Sequence, residues 1–179
     1  MLILHCMTFI VRQYNSCLNE LIFQFVNGST GMQLIIFTGV QASGKSSYYL
    51  LNFYQSHLRI NLDMLKTRHR ENILFEAGLA SKTKMVIDNT NPMRLDRERY
   101  IQRAKDAGFE IISYFFETDL KSTLTRNAQR HGKANIPEVG VRATYKKLEI
   151  PKFDEGFSEI YKVKIIGNGE FDVLPIATT

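Results

Sequence analysis

The chain has 179 residues, 44% of them hydrophobic, enough for one ordinary domain with a core of useful size and too few for two full ones. Its 23 Lys and Arg against 18 Asp and Glu leave a net charge of +5, which favours an anionic partner such as a nucleotide or nucleic acid and is equally compatible with plain solubility. The only cysteines, Cys6 and Cys17, lie near the N-terminus, which excludes a disulfide framework or a cysteine metal site in the rest of the chain and suits a reducing cytoplasm.

The first stretch, "MLILHCMTFIVRQYNSCLNELIFQFVNGST", mixes apolar and polar residues without a sustained period. It lacks the basic start and small-residue cleavage site of a signal peptide, and Arg12 interrupts it before it could span a bilayer, so no membrane segment is expected. Residues 1–31 read as an extension, artefactual or dispensable, and residues 32–179 as the functional domain, because Met32 stands directly before the first convincing strand.

From Met32 onward short apolar runs alternate with longer amphipathic segments, the habit of a parallel sheet covered by helices. "QLIIFT" reads as the first strand, followed by a glycine loop and a helix that opens near Lys45 and carries "SSYYLLNFYQ". "LRIN" is a second short strand, residues 63–81 are mostly helix formers, and "KMVID" is a third strand ending at Asp88. The next helix is expected over 92–107, with Asn91 as N-cap, Pro92 at the first helical position, Leu95, Tyr100, Ile101, Ala104 and Ala107 near one face, and Gly108 as terminator. "EIISYFF" is a fourth strand. It leads into a helix "DLKSTLTRNAQR", a loop "HGKANIP", a helix "EVGVRATYKKL" and a late strand "EIYKVKII" before a short tail.

The loop "GVQASGKSS" carries the full Walker A spacing, Gly39, four residues, then Gly44, Lys45 and Ser46, between a buried strand and a helix. The glycines let backbone N–H groups turn inward as an anion nest, with Ala42 and Ser43 in the same turn, and the helix N-terminus adds positive potential. On this pattern Lys45 reaches the β and γ phosphates of ATP and the Ser46 hydroxyl ligates Mg²⁺, Ser47 being the weaker candidate. No NKxD element for guanine is present, which argues against a GTPase.

A kinase needs a group that accepts the proton of the attacking hydroxyl. Asp63 follows the second strand at the rim where ligands bind in open α/β sheets, so it is either that general base or the cap of the helix beginning "MLKT". Asp88 ends the third strand at the same rim, where it holds the Mg²⁺ shell, orients an acceptor, or forms the turn into the next helix with Asn89. Lys66, Arg68 and Arg70, with His69 among them, form either a strip for backbone phosphates or a charged helix face. Tyr48 and Tyr49 read as packing residues of the first helix rather than base-stacking platforms.

"GVQASGKSS", "INLDMLKTR", "VIDNTNP", "RNAQRHGKANIP" and "EGFSEIYKV" occur in the order and approximate spacing of the polynucleotide 5′-hydroxyl kinase family, which the chain resembles from roughly Met32 to Val163. The resemblance implies a three-layer α/β P-loop fold, a mostly parallel sheet with helices on both faces, adenylate-kinase-like with a small lid. It also implies transfer of the ATP γ-phosphoryl group to the 5′-hydroxyl of DNA or RNA. By the same resemblance Asp63 matches the general base, Lys66 a cation near the acceptor phosphate, Asp88 the aspartate of the third-strand motif, and Arg126 and Arg130 the lid residues that close on the ATP phosphates. His131 and Lys133 fall in the lid loop. The chain departs from the pattern at Leu62, where members often have arginine, and at Gln41 and Ala42, where Pro and Gly are common. It has no D-x-D-G-[TS] element, so the phosphatase activity fused to some members is not expected. Two alternatives stand beside the polynucleotide kinase, a small-metabolite kinase with the same loop and a regulatory module that binds ATP without transferring phosphate.

Overall fold

The computed structural model describes residues 31–167 and 169–178; apart from Gly31, the expected extension over 1–31 lies outside the described residues. Five strands, β1 (Gln33–Thr38), β2 (Leu58–Ile60), β3 (Met85–Ile87), β4 (Glu110–Phe116) and β5 (Glu159–Gly167), run parallel in the order β2-β3-β1-β4-β5. Their C-terminal ends therefore share one rim. The order reverses around β1, so the loop leaving that strand sits at the switch point where such sheets bind ligands.

β1 reads as an unbroken apolar run because both of its faces are covered. Leu34 and Ile36 face α3 (Arg68–Ala80) and α4 (Arg94–Asp106), among Phe75, Leu79, Tyr100, Ile101 and Ala104. Ile35 and Phe37 face α1 (Lys45–Asn52), among Tyr48, Tyr49, Tyr114, Phe116 and Tyr161. The second face is largely aromatic, with Tyr48 meeting Phe116 edge-on at 5.5 Å between ring centroids. Tyr48 and Tyr49 are thus buried packing residues, as their positions in the sequence indicated.

Local chemistry moves several expected boundaries. The helix after the glycine loop stops at Asn52, because the Phe53 ring turns into the aromatic cluster and the chain then bends at His57 to join β2. The helical stretch after β2 is two helices, α2 (Leu62–Leu65) and α3, separated where Lys66 takes φ 71° and Thr67 caps α3 by accepting from the Arg70 amide.

The expected Asn91 cap with Pro92 at the first helical position is not what forms. Asn91 takes φ 39° and its buried side chain donates to the Phe37 carbonyl, which commits it to the end of β1. The loop runs on to Met93, whose amide donates to Asp96, and α4 begins at Arg94. In that frame Leu95, expected on the buried face, is 68% exposed.

α5 (Leu120–Ala128) and α6 (Glu138–Lys146) follow β4, joined through a 3₁₀ turn at Gly132–Ala134. The segment after β5 is not a tail. Residues 170–175 form β6 (Glu170–Pro175), antiparallel to β5, and its Phe171 and Val173 cover the aromatic face of the core.

Candidate functional site

The chain after Thr38 must turn sharply to reach α1. Ala42 at φ 56° and Gly44 at φ 94° make the left-handed steps, which aim successive amides at one point in front of the helix N-terminus. A side chain at Gly44 would also collide with the β5–β6 hairpin, since an added Cβ lies 2.8 Å from the Phe171 ring. Ser43 is buried and its hydroxyl donates to the Val40 carbonyl, closing the turn.

Lys45 is buried in this cradle, its ammonium bonded to the carbonyls of Gly39 (2.9 Å) and Val40 (2.5 Å) and to the Ser43 hydroxyl (3.2 Å). Burial pulls the amine down to about 8; Asp88 and Asp63 oppose that and Arg130 adds to it. Three other predicted residues, Asp63, Asp88 and Arg130, therefore lie close enough to Lys45 to act on its charge.

The Ser46 hydroxyl donates to Asp88 Oδ2 at 3.0 Å, placing a hydroxyl and a buried carboxylate side by side below the loop. These are hard oxygen donors of the kind Mg²⁺ takes. Among the described residues no cluster of three or more His, Cys, Asp or Glu could hold a metal, so an ion at Ser46 would draw most of its shell from phosphate and water. Ser47 is exposed and Asp88, not Ser47, is the partner of Ser46.

Asp88 has a second partner that the sequence alone did not single out. Arg59 of β2 donates through Nε (2.9 Å) and Nη2 to the same Oδ2, and its guanidinium lies 5.0 Å from the Tyr49 ring centroid. A cation inside the short strand "LRI" was the available signal, since a solvated arginine has little reason to be there.

Asp63 lies in the first turn of α2 and is exposed. The cap of that helix is Asn61, whose side chain accepts from the Met64 amide at 3.1 Å, so Asp63 is not committed to capping. Lys66 is exposed and its ammonium turns back to the Asp63 carbonyl.

On the other side of the loop, Arg126 in the last turn of α5 donates to the Ala42 carbonyl (2.8 Å) and to Thr118 Oγ1 (2.6 Å). Burial lowers its guanidinium, Asp119 opposing and Arg130 adding. α6 touches the loop as well, through Gln41 to Thr144 at 3.1 Å. Between these elements and β5 lies a cavity of about 460 Å³ lined by Thr118, Asp119, Arg126, Tyr145, Lys164 and Ile165. Arg126 thus reaches the glycine loop directly, while Arg130, half-buried just after α5, is linked to it only through its charge, which lowers the Lys45 amine.

Among the described residues no helix is long and apolar enough to cross a membrane. The fold is that of P-loop kinases. It superposes on Kti12 of Chaetomium thermophilum in complex with ADP-AlF3 with a TM-score of 0.57 at 16% identity, over 73% of this chain and 88% of that one. It superposes on a gluconokinase of Sinorhizobium meliloti with a TM-score of 0.53 at 18% identity, over 77% and 85%. In sequence, 139 residues are 25% identical to the bifunctional polynucleotide phosphatase/kinase of Schizosaccharomyces pombe, which is 75% of this chain and 34% of that protein. The chain spans about a third of the length of the curated relatives it matches. The model of the AAA domain matches residues 55–149, more than half of the chain, and on that match, with the P-loop kinase fold around it, the chain belongs to the AAA domain family.

Proposed function

We propose that the protein is an ATP- and Mg²⁺-dependent kinase that phosphorylates the 5′-hydroxyl of a polynucleotide. The observation that carries this is the order of groups along the sheet rim. The strand sequence β2-β3-β1-β4-β5 sets Asp63 and Asp88 on one side of the glycine loop, the loop in the middle, and the cavity of Arg126, Tyr145 and Lys164 on the other. A nucleoside triphosphate laid along that rim has its base in the cavity and its phosphates in the loop, with the terminal one toward Asp63.

In this arrangement Lys45 and the loop amides hold the β and γ phosphates, and Arg126 and Arg130 meet the charge that spreads over the transferring group. Mg²⁺, when bound, would neutralise phosphate charge, and Ser46 with Asp88 would be its protein-side donors. Asp63 accepts the proton of the attacking hydroxyl, a role that suits an exposed carboxylate not used as the cap of its own helix. Lys66 and the basic start of α3, with Arg68 and Arg70, line the approach on the acceptor side.

The polynucleotide acceptor is favoured by the sequence likeness to polynucleotide phosphatase/kinases. A second reading, phosphorylation of a small hydroxylated metabolite, is favoured by Leu62 next to the proposed base and by a gluconokinase among the fold neighbours. The two separate in one assay, transfer from γ-labelled ATP to a 5′-hydroxyl oligonucleotide, to nucleosides and to sugars in parallel. Label on the oligonucleotide alone supports the first reading; label on a small acceptor and none on the strand replaces it with the second.

A further inference from the structure

The segment that carries Asp63 has little support of its own. α2 has four residues, too few to hold their shape by helix propensity, and it ends in the positive φ of Lys66. Its anchors come from the loop after β3. Asn61 donates to the Asp88 carbonyl at 2.5 Å, and the Leu62 amide donates to Asn89 Oδ1 at 2.8 Å.

Asn89 is itself held. Its Nδ2 donates to Glu71 Oε1 at 2.6 Å, and Glu71, 3% exposed on α3, also accepts from Tyr100 Oη (3.0 Å) and from Arg68 (2.7 Å). The orientation of the Asn89 amide follows from its partners, because the Leu62 amide N–H on one side needs an acceptor and the Glu71 carboxylate oxygen on the other is met by a donor. A buried carboxylate is a poor way to stabilise a fold, since well-packed apolar side chains usually do as well or better. What Glu71 supplies that an apolar residue cannot is a fixed direction for Asn89.

We propose that Asn89, oriented by Glu71 and Tyr100, is the positioning residue of the Asp63 segment, setting where the carboxylate meets the acceptor hydroxyl. This rests on the reading of Asp63 as general base. A misplacement of about 1 Å at a reacting group can cost on the order of 100-fold in rate, so the role has a kinetic signature.

The test uses the full chain with ATP, Mg²⁺ and a 5′-hydroxyl oligonucleotide, measuring kcat, KM for ATP and thermal unfolding for wild type, Asp63→Asn, Asn89→Ala, Asn89→Asp, and Asn89→Asp combined with Glu71→Gln. Asn89→Ala should lower kcat by about 10- to 100-fold with KM for ATP changed less than about 3-fold, the split expected for lost alignment rather than lost nucleotide binding. Asn89→Asp alone should be as slow, because it sets a second carboxylate against Glu71. Adding Glu71→Gln restores a donor to that pair and should recover most of kcat, which a merely structural role would not require. Wild-type kcat in Asn89→Ala, with Asp63→Asn inactive, overturns the positioning role and leaves the base assignment standing. The positioning role also falls if the double variant melts like wild type yet stays as slow as Asn89→Asp. Asp63→Asn as active as wild type overturns both together.

Discussion

Lys45 is a buried base and His57 a half-buried one, and only the first adjoins the rim. His57 sits in the turn between α1 and β2, packed edge-on against Phe53, with Nε2 buried and without a hydrogen-bond partner among the described residues. Burial, and secondarily Lys84, pulls it from 6.5 down to about 4. The unfolded chain takes up this proton near pH 6.5 while the folded protein resists it to about pH 4, so the stability His57 contributes is complete above pH 6.5 and is lost as pH falls through that window. Urea titrations at pH 7 and pH 5 should show a drop that shrinks in His57→Gln; an equal drop in both proteins would exclude His57 as its source. At this scale the sequence was most legible where chemistry is local. Gly39, Gly44, Lys45 and Ser46 announce themselves because a phosphate cradle is built from consecutive residues. Arg59, Asn89 and Glu71 do not, because their partners are 29, 27 and 18 residues away and meet only once β2 lies beside β3.

The glycine loop and the β5–β6 hairpin form one unit at the level of elements, joined at Gly44. Its φ of 94° already disfavours a side chain, and the space a Cβ would need is taken by Phe171 and Ile165. Gly44→Ala should therefore cost about 2 kcal/mol in urea unfolding and abolish nucleotide binding in a fluorescent ATP-analogue titration. Unchanged stability and binding would show that the hairpin yields freely. The hairpin itself was passed over in the sequence, although "GNGE" between "KVKII" and "FDVLP" is a turn signal flanked by strand-like runs. The start of α4 was misplaced for a different reason. Asn-Pro is a sound local signal for a helix start, and it lost to a tertiary demand, the bond from Asn91 to the Phe37 carbonyl that ties the rim loop to β1.

At the scale of the described fold, a fully buried arginine ties the loop after β3 to a distant segment. Arg97 of α4 makes a two-pronged pair with Glu155, 2.7 Å on each arm, and donates to the carbonyls of Asn91 (3.1 Å) and Glu149 (3.2 Å). It thereby joins the loop after β3 to the segment that returns from α6 toward β5. Arg97→Ala would leave Glu155 buried and unpaired, a loss of about 3 to 5 kcal/mol, readable as a lowered urea midpoint with an unchanged slope. A shift below about 1 kcal/mol would mean that water replaces the pair. The alternation of apolar runs made the sheet and its helices legible, but the rim that brings Asp63, Asp88, the glycine loop and Arg126 into one row follows from strand order, which periodicity does not encode.

Phosphate transfer at this rim, with Asp63 taking the proton, is open to a single decisive experiment. Single-turnover transfer from γ-labelled ATP with Mg²⁺ to matched 5′-hydroxyl and 5′-phosphate oligonucleotides is followed for wild type and Asp63→Asn, with ATP affinity measured in parallel. Label should appear on the 5′-hydroxyl strand only, at a rate lowered by about 100- to 10,000-fold in Asp63→Asn, with ATP affinity nearly unchanged. Equal rates in the two proteins would remove Asp63 as the base, and ATP bound with no strand labelled would remove the polynucleotide acceptor.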